Sequence, residues 1–185
     1  MLYRILFVCL ALGVLSAASP LRCRWVTEEK FKEHSKNYLK QLNMMASNST
    51  NTTGAASAED TVAFPDALYS QASEAADEDK LAFAVQILEG VAALFEEDHS
   101  SASWEEVTME TFVNVVTQQA DSLRSCLGSH NPKNMKLQRY FTRLSRSVLK
   151  KLGHSAEAWE LIREQVKRHL MSTDLLISPQ SSVTV

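Results

Sequence analysis

Apolar residues recur every three or four positions along most of the chain from Trp25 onward, which is the spacing of one face of an α-helix. The pattern predicts an all-α fold, a bundle of five long helices at about 27–46, 77–98, 103–126, 132–152 and 155–170. A short additional helix is predicted at 67–76. Polar residues without apolar periodicity fill 47–60 and predict a long first crossover loop.

The predicted buried faces follow from the same periodicity. They comprise Phe31, Tyr38, Leu42 and Met45 in the first helix, Leu81, Phe83, Val85, Ile87, Leu88, Val91, Ala92, Leu94 and Phe95 in the second, Met109, Phe112, Val116, Ala120 and Leu123 in the third, Leu137, Phe141, Leu144 and Val148 in the fourth, and Trp159, Ile162, Val166 and Leu170 in the last. Segment 77–98 is apolar around most of its circumference, which indicates a helix at the centre of the bundle.

Local capping signals predict where the later helices begin. Ser103 and Glu106 have the spacing of a capping box. Pro132 suits the first position of a helix because proline lacks the amide hydrogen that is unsatisfied there. Ser155 is an expected N-cap of the last helix, and the short linker before it predicts that the fourth and fifth helices are antiparallel neighbours.

The N-terminus has the organisation of a secretory signal peptide. Arg4 precedes an apolar run at 5–15, and Ser16 and Ala18 occupy the −3 and −1 places of a cleavage site. We therefore expect residues 1–18 to be a signal peptide and 19–185 to form a secreted, extracellular helical domain. A buried core helix is the alternative, whereas the run is shorter than the roughly 20 residues that span a bilayer.

Export changes the interpretation of the cysteines and of two Asn-X-Thr patterns. Cleavage would leave Cys23 and Cys126, which in an oxidising compartment suggest one disulfide, with two free thiols as the alternative. Asn48 and Asn51 each begin a sequon in the polar tract, so N-glycosylation of this loop is expected.

Composition and motifs argue against several classes of function. The formal net charge of −3 disfavours a dedicated nucleic-acid binder. The chain has no HExxH, GxSxG or P-loop motif, and its histidines show no metal-ligand spacing. Although Asp98, His99 and Ser100 include the residue types of a hydrolase triad, adjacent side chains rarely converge on one reacting centre, and a solvated helix end is the simpler interpretation. We predict no enzyme activity, no metal and no cofactor.

Basic residues form the remaining pattern. Lys133, Lys136, Arg139, Arg143, Arg146 and Lys150 recur every three or four positions, as expected for the water-facing side of a helix. The alternative is a binding face for an acidic partner such as a receptor or a glycosaminoglycan. In the last helix, Arg163 and Lys167 share one flank, and Arg168 is expected to point outward.

Five segments in the same order resemble the type I interferons over nearly the whole chain after residue 18: 85–88, 94–106, 118–126, 139–144 and 158–163. The likeness is strongest to the bony-fish type I interferons with two cysteines, because it includes the start at 23–25 and the stretch 80–83. The resemblance implies a secreted antiviral cytokine with a helical cytokine bundle. It also implies that Cys23 and Cys126 match the N-terminal disulfide of the family.

The resemblance further implies a mode of action. Such a monomer would bind two different class II cytokine receptor chains, whose kinases phosphorylate transcription factors that induce antiviral genes. The first helix, the first loop and the last helix would meet one receptor chain, and the middle helices the other. By matched position, Arg163, Lys167 and Arg168 fall on the receptor face of the last helix.

The chain departs from the family pattern at three places, one of which is a one-residue shift of the tyrosine-rich signature at the end of the fourth helix, with Gly153 inside the interval. Glu157 stands where four-cysteine members carry a cysteine, so a second disulfide cannot form. Glu59 and Asp60 stand where some members carry an arginine before the Phe-Pro step. Alternatives outside the family are an amphipathic lipid-binding or membrane-active secreted protein, although no direct membrane insertion is expected, and an interleukin-10-like dimer.

Overall fold

The computed structural model of the chain describes residues 31–47, 62–127 and 132–178. Six α-helices and no strand occupy these ranges: α1 (Phe31–Ser47), α2 (Asp66–Ser73), α3 (Asp77–Phe95), α4 (Glu106–Leu127), α5 (Met135–Leu144) and α6 (Ala156–Ile177). A π-helical segment, Ser145–Lys150, continues α5 without a break. The predicted all-α fold is confirmed, and the short helix expected before the second long one is α2.

Helix α3 is the central element of the bundle. It contacts α2, α4, α5 and α6, while α1 packs against α4 and α6 on the far side. The buried side chains of α3 point in all directions around its axis: Ala82, Phe83, Ala84, Val85, Ile87, Leu88, Val91, Leu94 and Phe95. Its acidic first turn, which includes Asp77, faces the positive end of the helix dipole.

The predicted faces of the other helices are also buried. All four predicted apolar residues of α1, all five of α4 and all four of α6 lie in the core, as do the four assigned to α5 and its π-helical continuation. Only Leu81 and Ala92 of the predicted set are half-buried. Hydrophobic periodicity thus identified nearly the whole core, because each helix buries one continuous stripe.

Aromatic packing determines the corner between α3 and α4. Trp104 lies against Phe95 and Trp159, with ring centroids 5.8 and 5.6 Å away. Its indole Nε1 donates to Glu160 Oε1 at 2.7 Å. The loop is therefore held by the Trp104 side chain, and α4 begins at Glu106 rather than at the predicted Ser103 cap.

Residues 98–100 form part of this corner and make local contacts. The Ser100 amide donates to Asp98 Oδ1 at 3.0 Å, and the pKa of Asp98 is lowered by the Ser100 hydroxyl and, to a smaller extent, by this amide. The Asp98 carbonyl accepts from Trp159 Nε1 at 3.1 Å. The His99 ring Nδ1 lies 3.1 Å from the Glu97 carbonyl. The arrangement is that of a capped helix end, as the simpler interpretation predicted.

The start of α5 differs from the prediction for a similar reason. Asn134, not Pro132, precedes the first helical turn, and its Oδ1 accepts from the amides of Lys136 and Leu137 at 3.1 Å. Gln86 of α3 fixes this connection. Its Oε1 accepts from the Asn134 amide at 2.6 Å, and its Nε2 donates to the Pro132 carbonyl at 2.7 Å. A side chain distant in sequence therefore decides where α5 begins.

The π-helical segment ends in a turn that reverses the chain into α6. Gly153 and His154 both adopt positive φ angles, 61° and 53°, which glycine tolerates without a steric penalty. Ser155 then caps α6, with its side chain accepting from the Ala158 amide at 3.2 Å. The predicted Ser155 cap is confirmed.

Helices α3 and α5 approach each other closely at Gly90. A Cβ atom at this position would lie 2.5 Å from Cδ2 of the Phe141 ring, well inside van der Waals contact. Phe141 is itself buried and lies between α3 and His169 of α6. The close approach therefore requires glycine at position 90.

We expect Gly90→Ala to lower the free energy of unfolding by about 1–3 kcal/mol, because the ring must move out of its packed position. In an unhindered helix, replacing glycine by alanine raises the free energy of unfolding by about 0.5–1 kcal/mol. The sign of the measured change therefore shows whether the ring is in the way. Urea unfolding of Gly90→Ala, Phe141→Leu and the double variant measures the effect. The double variant should lose less than the two single losses combined, and a Gly90→Ala protein as stable as the parent would contradict the contact.

Candidate functional site

Helix α6 carries the three basic residues that the sequence singled out. Its buried face, with Trp159, Ile162 and Val166, fixes the rotation of the helix about its axis. Arg163 and Lys167 are one helical turn apart on the same flank, as predicted. The structure nevertheless gives the three basic side chains different surroundings.

Arg163 is buried rather than displayed. Its side chain is 8% exposed, and its guanidinium lies between two carboxylates of the same helix. Nε donates to Glu160 Oε2 at 2.8 Å, and the terminal nitrogen donates to Glu164 Oε1 at 2.5 Å. Because Glu160 also accepts from Trp104, Arg163 belongs to a chain of polar contacts that joins α6 to the aromatic corner.

Lys167 and Arg168 are half-buried and closer to solvent. The guanidinium carbon of Arg168 lies 4.0 Å from the centre of the Phe64 ring, within range of a cation–π interaction. Its terminal nitrogen is 3.4 Å from Asp66 Oδ1 in the first turn of α2. Arg168 therefore does not simply point outward as predicted but packs against the segment that enters α2.

A buried polar residue, His169, lies beside these cations and was missed by the sequence analysis. Its ring is fully buried and contacts Phe64, Tyr140 and Phe141, with centroids 4.6, 5.1 and 5.2 Å away. The Tyr69 hydroxyl lies 2.8 Å from His169 Nδ1 and 3.2 Å from its carbonyl oxygen. The available signal was positional, since His169 follows Val166 by three residues and extends the apolar face.

His169 is neutral at physiological pH. Burial, with a smaller contribution from the charge of Arg168, lowers its pKa from the ordinary 6.5 to about 3. Burial raises the pKa of Tyr69, so that hydroxyl stays protonated. A ring whose Nδ1–H donates to Tyr69, while Tyr69 donates to the His169 carbonyl, satisfies both contacts and leaves Nε2 as a bare acceptor. Among the described residues Nε2 has no hydrogen-bond partner.

This histidine makes stability depend on pH. Because its pKa is lower in the folded chain than in the unfolded chain, the unfolded chain binds more protons between pH 6.5 and 3, and stability is lost as the pH falls through that range. We expect His169 to account for a loss of about 2 kcal/mol in the free energy of unfolding between pH 7 and pH 5. Urea unfolding at both pH values measures it.

His169→Asn is the control for this effect, because asparagine places a polar atom near the position of Nδ1 but does not titrate. The variant is expected to be less stable at pH 7 yet to lose about 2 kcal/mol less than the parent between pH 7 and 5. Equal losses in the two proteins would show that His169 does not carry the acid sensitivity.

The six basic residues predicted along the fourth helix, from Lys133 to Lys150, are all exposed, as their water-facing interpretation predicted. Pro65 and Leu68 of the α2 region face Lys136, Arg139, Arg143 and Arg146 across an open groove of about 610 Å³. This surface is separate from the buried Arg163.

Glu97 at the end of α3 neutralises one end of this row. Its carboxylate accepts from the Ser145 hydroxyl at 2.5 Å and lies 3.1 Å from His154 Nε2 and 3.5 Å from Lys150 Nζ. The Ser145 hydrogen bond is the main cause of the lowered pKa of Glu97, with His154 and Lys150 contributing. Because its pKa is lowered, Glu97 is ionised at neutral pH. Its contacts tie the π-helical segment and the turn after it to α3.

Several predicted sites fall outside the described residues. These are the signal peptide, Cys23, and the sequon residues Asn48 and Asn51. Cys126 is half-buried in the last turn of α4. The disulfide and the glycosylation therefore stay predictions. Across 31–47, 62–127 and 132–178, no group of three or more His, Cys, Asp or Glu side chains could hold a metal ion.

The six packed helices, with the short α2 between the first two long ones, have the arrangement of a helical cytokine fold. No helix within the described parts of the chain is both long and apolar enough to cross a membrane. Residues 27–179 match the interferon alpha/beta domain. The chain therefore belongs to the type I interferon family, and the resemblance inferred from its sequence motifs is confirmed.

Individual relatives support the same assignment. The chain is 32% identical to interferon a3 of Oncorhynchus mykiss over 168 residues, covering 91% of this chain and 93% of the relative. It is 30% identical to interferon omega-1 of Bos taurus over 93 residues, covering 45% and 47%. Zebrafish interferon 1 has a similar structure, with a TM-score of 0.65 and 26% identity over 80% of this chain and 95% of that one.

Family membership decides between the classes of function that the sequence left open. The relatives named above are interferons, which are cytokines and not enzymes. The chain is a type I interferon-like cytokine and acts by binding cytokine receptors.

Proposed function

We propose that the chain is secreted and acts as a monomer that joins two different class II cytokine receptor chains. Their kinases then phosphorylate transcription factors that induce antiviral genes. The family match over 27–179 is the observation that carries this proposal. Binding alone suffices as a mechanism, because two receptors held by one ligand in a membrane reach a high effective concentration.

The proposal assigns two receptor faces to the bundle. One face would comprise α1, the first loop and α6, and the other would belong to the middle helices through the exposed side of α4, because α3 is enclosed by its neighbours. On α6, Lys167 and Arg168 are accessible to a receptor, whereas Arg163 is held by Glu160 and Glu164. Arg163 therefore enters the proposal as a residue that positions the flank, and Lys167 and Arg168 as its contacts.

Reversing the charge of Lys167 is the sharpest test of this face. We expect Lys167→Glu to weaken receptor binding about tenfold or more, because a close charge pair at an interface becomes a repulsive one. Surface plasmon resonance against purified candidate receptor ectodomains and an antiviral reporter in cells carrying each receptor pair measure the effect. Circular dichroism should be unchanged.

Lys151→Glu is the matched control. Lys151 is exposed in the turn before α6, whereas Lys167 lies about three helical turns into that helix, and the two substitutions change the net charge equally. Wild-type affinity in Lys167→Glu would remove this flank from the receptor site. Failure of the folded parent chain to engage any class II receptor pair would overturn the proposed function itself.

The Cys23–Cys126 disulfide is part of the same proposal. Peptide mapping without reduction should find the two residues linked in the secreted protein. Because the bond would close a loop of about 100 residues, its loss through Cys23→Ser is expected to reduce the free energy of unfolding by roughly 4–5 kcal/mol. Cys9→Ser is the control and should have no effect, since that residue lies in the proposed signal peptide. Two separate thiols in the folded product would contradict the pairing.

A further inference from the structure

The segment from Pro132 to Ser155 is the most basic part of the chain. It contains seven Lys and Arg residues and no Asp or Glu, although the whole chain has a formal net charge of −3. The charge is therefore concentrated rather than dispersed. Solubility does not require such a concentration, because both signs are interspersed elsewhere on the surface.

The bundle arranges five of these residues, which we call the basic row, along one side of α5 and its π-helical continuation: Lys136, Arg139, Arg143, Arg146 and Lys150. Their spacing of three and four positions places them within a narrow arc, and at 1.5 Å per residue the row is about 21 Å long. All five side chains are exposed. The opposite side of the helix, with Leu137, Phe141 and Leu144, is buried against the bundle.

Most of the row lacks internal neutralisation. Lys150 pairs with Glu97, but none of Lys136, Arg139, Arg143 and Arg146 has an ion-pair partner among the described residues. These four cations line the groove of about 610 Å³ between α5 and the start of α2. An anion placed there would meet several cations at once, with Pro65 and Leu68 as the apolar wall.

We propose that the basic row binds a sulfated glycosaminoglycan at the cell surface or in the extracellular matrix. The row is one cation wide and continuous, which complements a linear chain that carries sulfates and carboxylates at each repeat. A protein partner is less well matched, because protein interfaces are organised around buried aromatic and apolar anchors, and the aromatic residues of α5, Tyr140 and Phe141, are buried in the core. The proposal goes beyond receptor binding and requires only that the chain is secreted.

Nucleic acid is also a poorer match. Duplex DNA presents two phosphate strands, and proteins that bind it neutralise many phosphates over a broad basic surface. Here two acidic residues of α3, Glu89 and Glu97, line a cavity together with Lys133, Arg146 and Lys150. A single row of cations beside acidic residues therefore favours one flexible polyanionic chain over a duplex.

The experiment uses the full secreted protein and immobilised heparin as the probe. Arg139→Gln/Arg143→Gln/Arg146→Gln removes three charges from the row, and Lys32→Gln/Lys36→Gln/Lys40→Gln removes three exposed charges from α1 as the matched control. We expect the row variant to bind heparin at least tenfold more weakly and with a shallower salt dependence. The control should change by less than threefold. Circular dichroism and thermal unfolding confirm that both variants are folded.

Three further results would overturn the proposal. The two triple variants could weaken heparin binding equally, which would indicate net charge rather than a site. Desulfated heparin or duplex DNA could bind as tightly as heparin, which would remove the sulfate specificity. The row variant could keep its heparin affinity but lose reporter signalling in cells without glycosaminoglycans, which would make the row a receptor contact. Heparin binding is measured without any receptor, so its failure is distinct from failure of the cytokine function.

Discussion

The enclosure of α3 is the constraint on which the rest of this bundle depends. A helix that is apolar around most of its circumference must be covered on every side, and α2, α4, α5 and α6 provide that cover. The covering helices need only one apolar stripe each, which leaves their outer sides polar. Recognition must therefore use the outer sides of α1, α4, α5 and α6, because the central helix has little surface to offer.

Polar contacts at the edges of this core determine where the surface residues lie. His169 and Tyr69 join α6 to α2 within an aromatic cluster, and the adjacent Arg168 packs on Phe64 from the same region. The position of the Arg168 charge is consequently set by α2 as well as by its own helix. The short α2, which contributes little to the core, thus helps to shape the proposed α6 surface.

Hydrophobic periodicity predicted the core because burial of a stripe is a property of each helix alone. Helix starts were predicted less well, since Trp104 and Gln86 act through partners far away in sequence and override the local signals at Ser103 and Pro132. The burial of Arg163 was missed for a different reason. Neighbouring glutamates usually indicate a solvated face, but here Glu160 joins Arg163 to the aromatic corner while Glu164 stays exposed. His169 is in register with the apolar positions of its helix, but a search for apolar residues alone does not find it because histidine is polar.

The surface of α6 changes sign along the helix, because an acidic stretch near its start is followed by a basic turn. Glu157, Glu160 and Glu164 occupy the half near the start of the helix, with the charge of Arg163 enclosed among them, and Lys167 and Arg168 occupy the next turn. Such a surface has a direction. A partner with a basic end and an acidic end is attracted at both ends in one orientation and repelled at both ends when it is reversed. The charges of α6 therefore favour one orientation of such a partner along the helix.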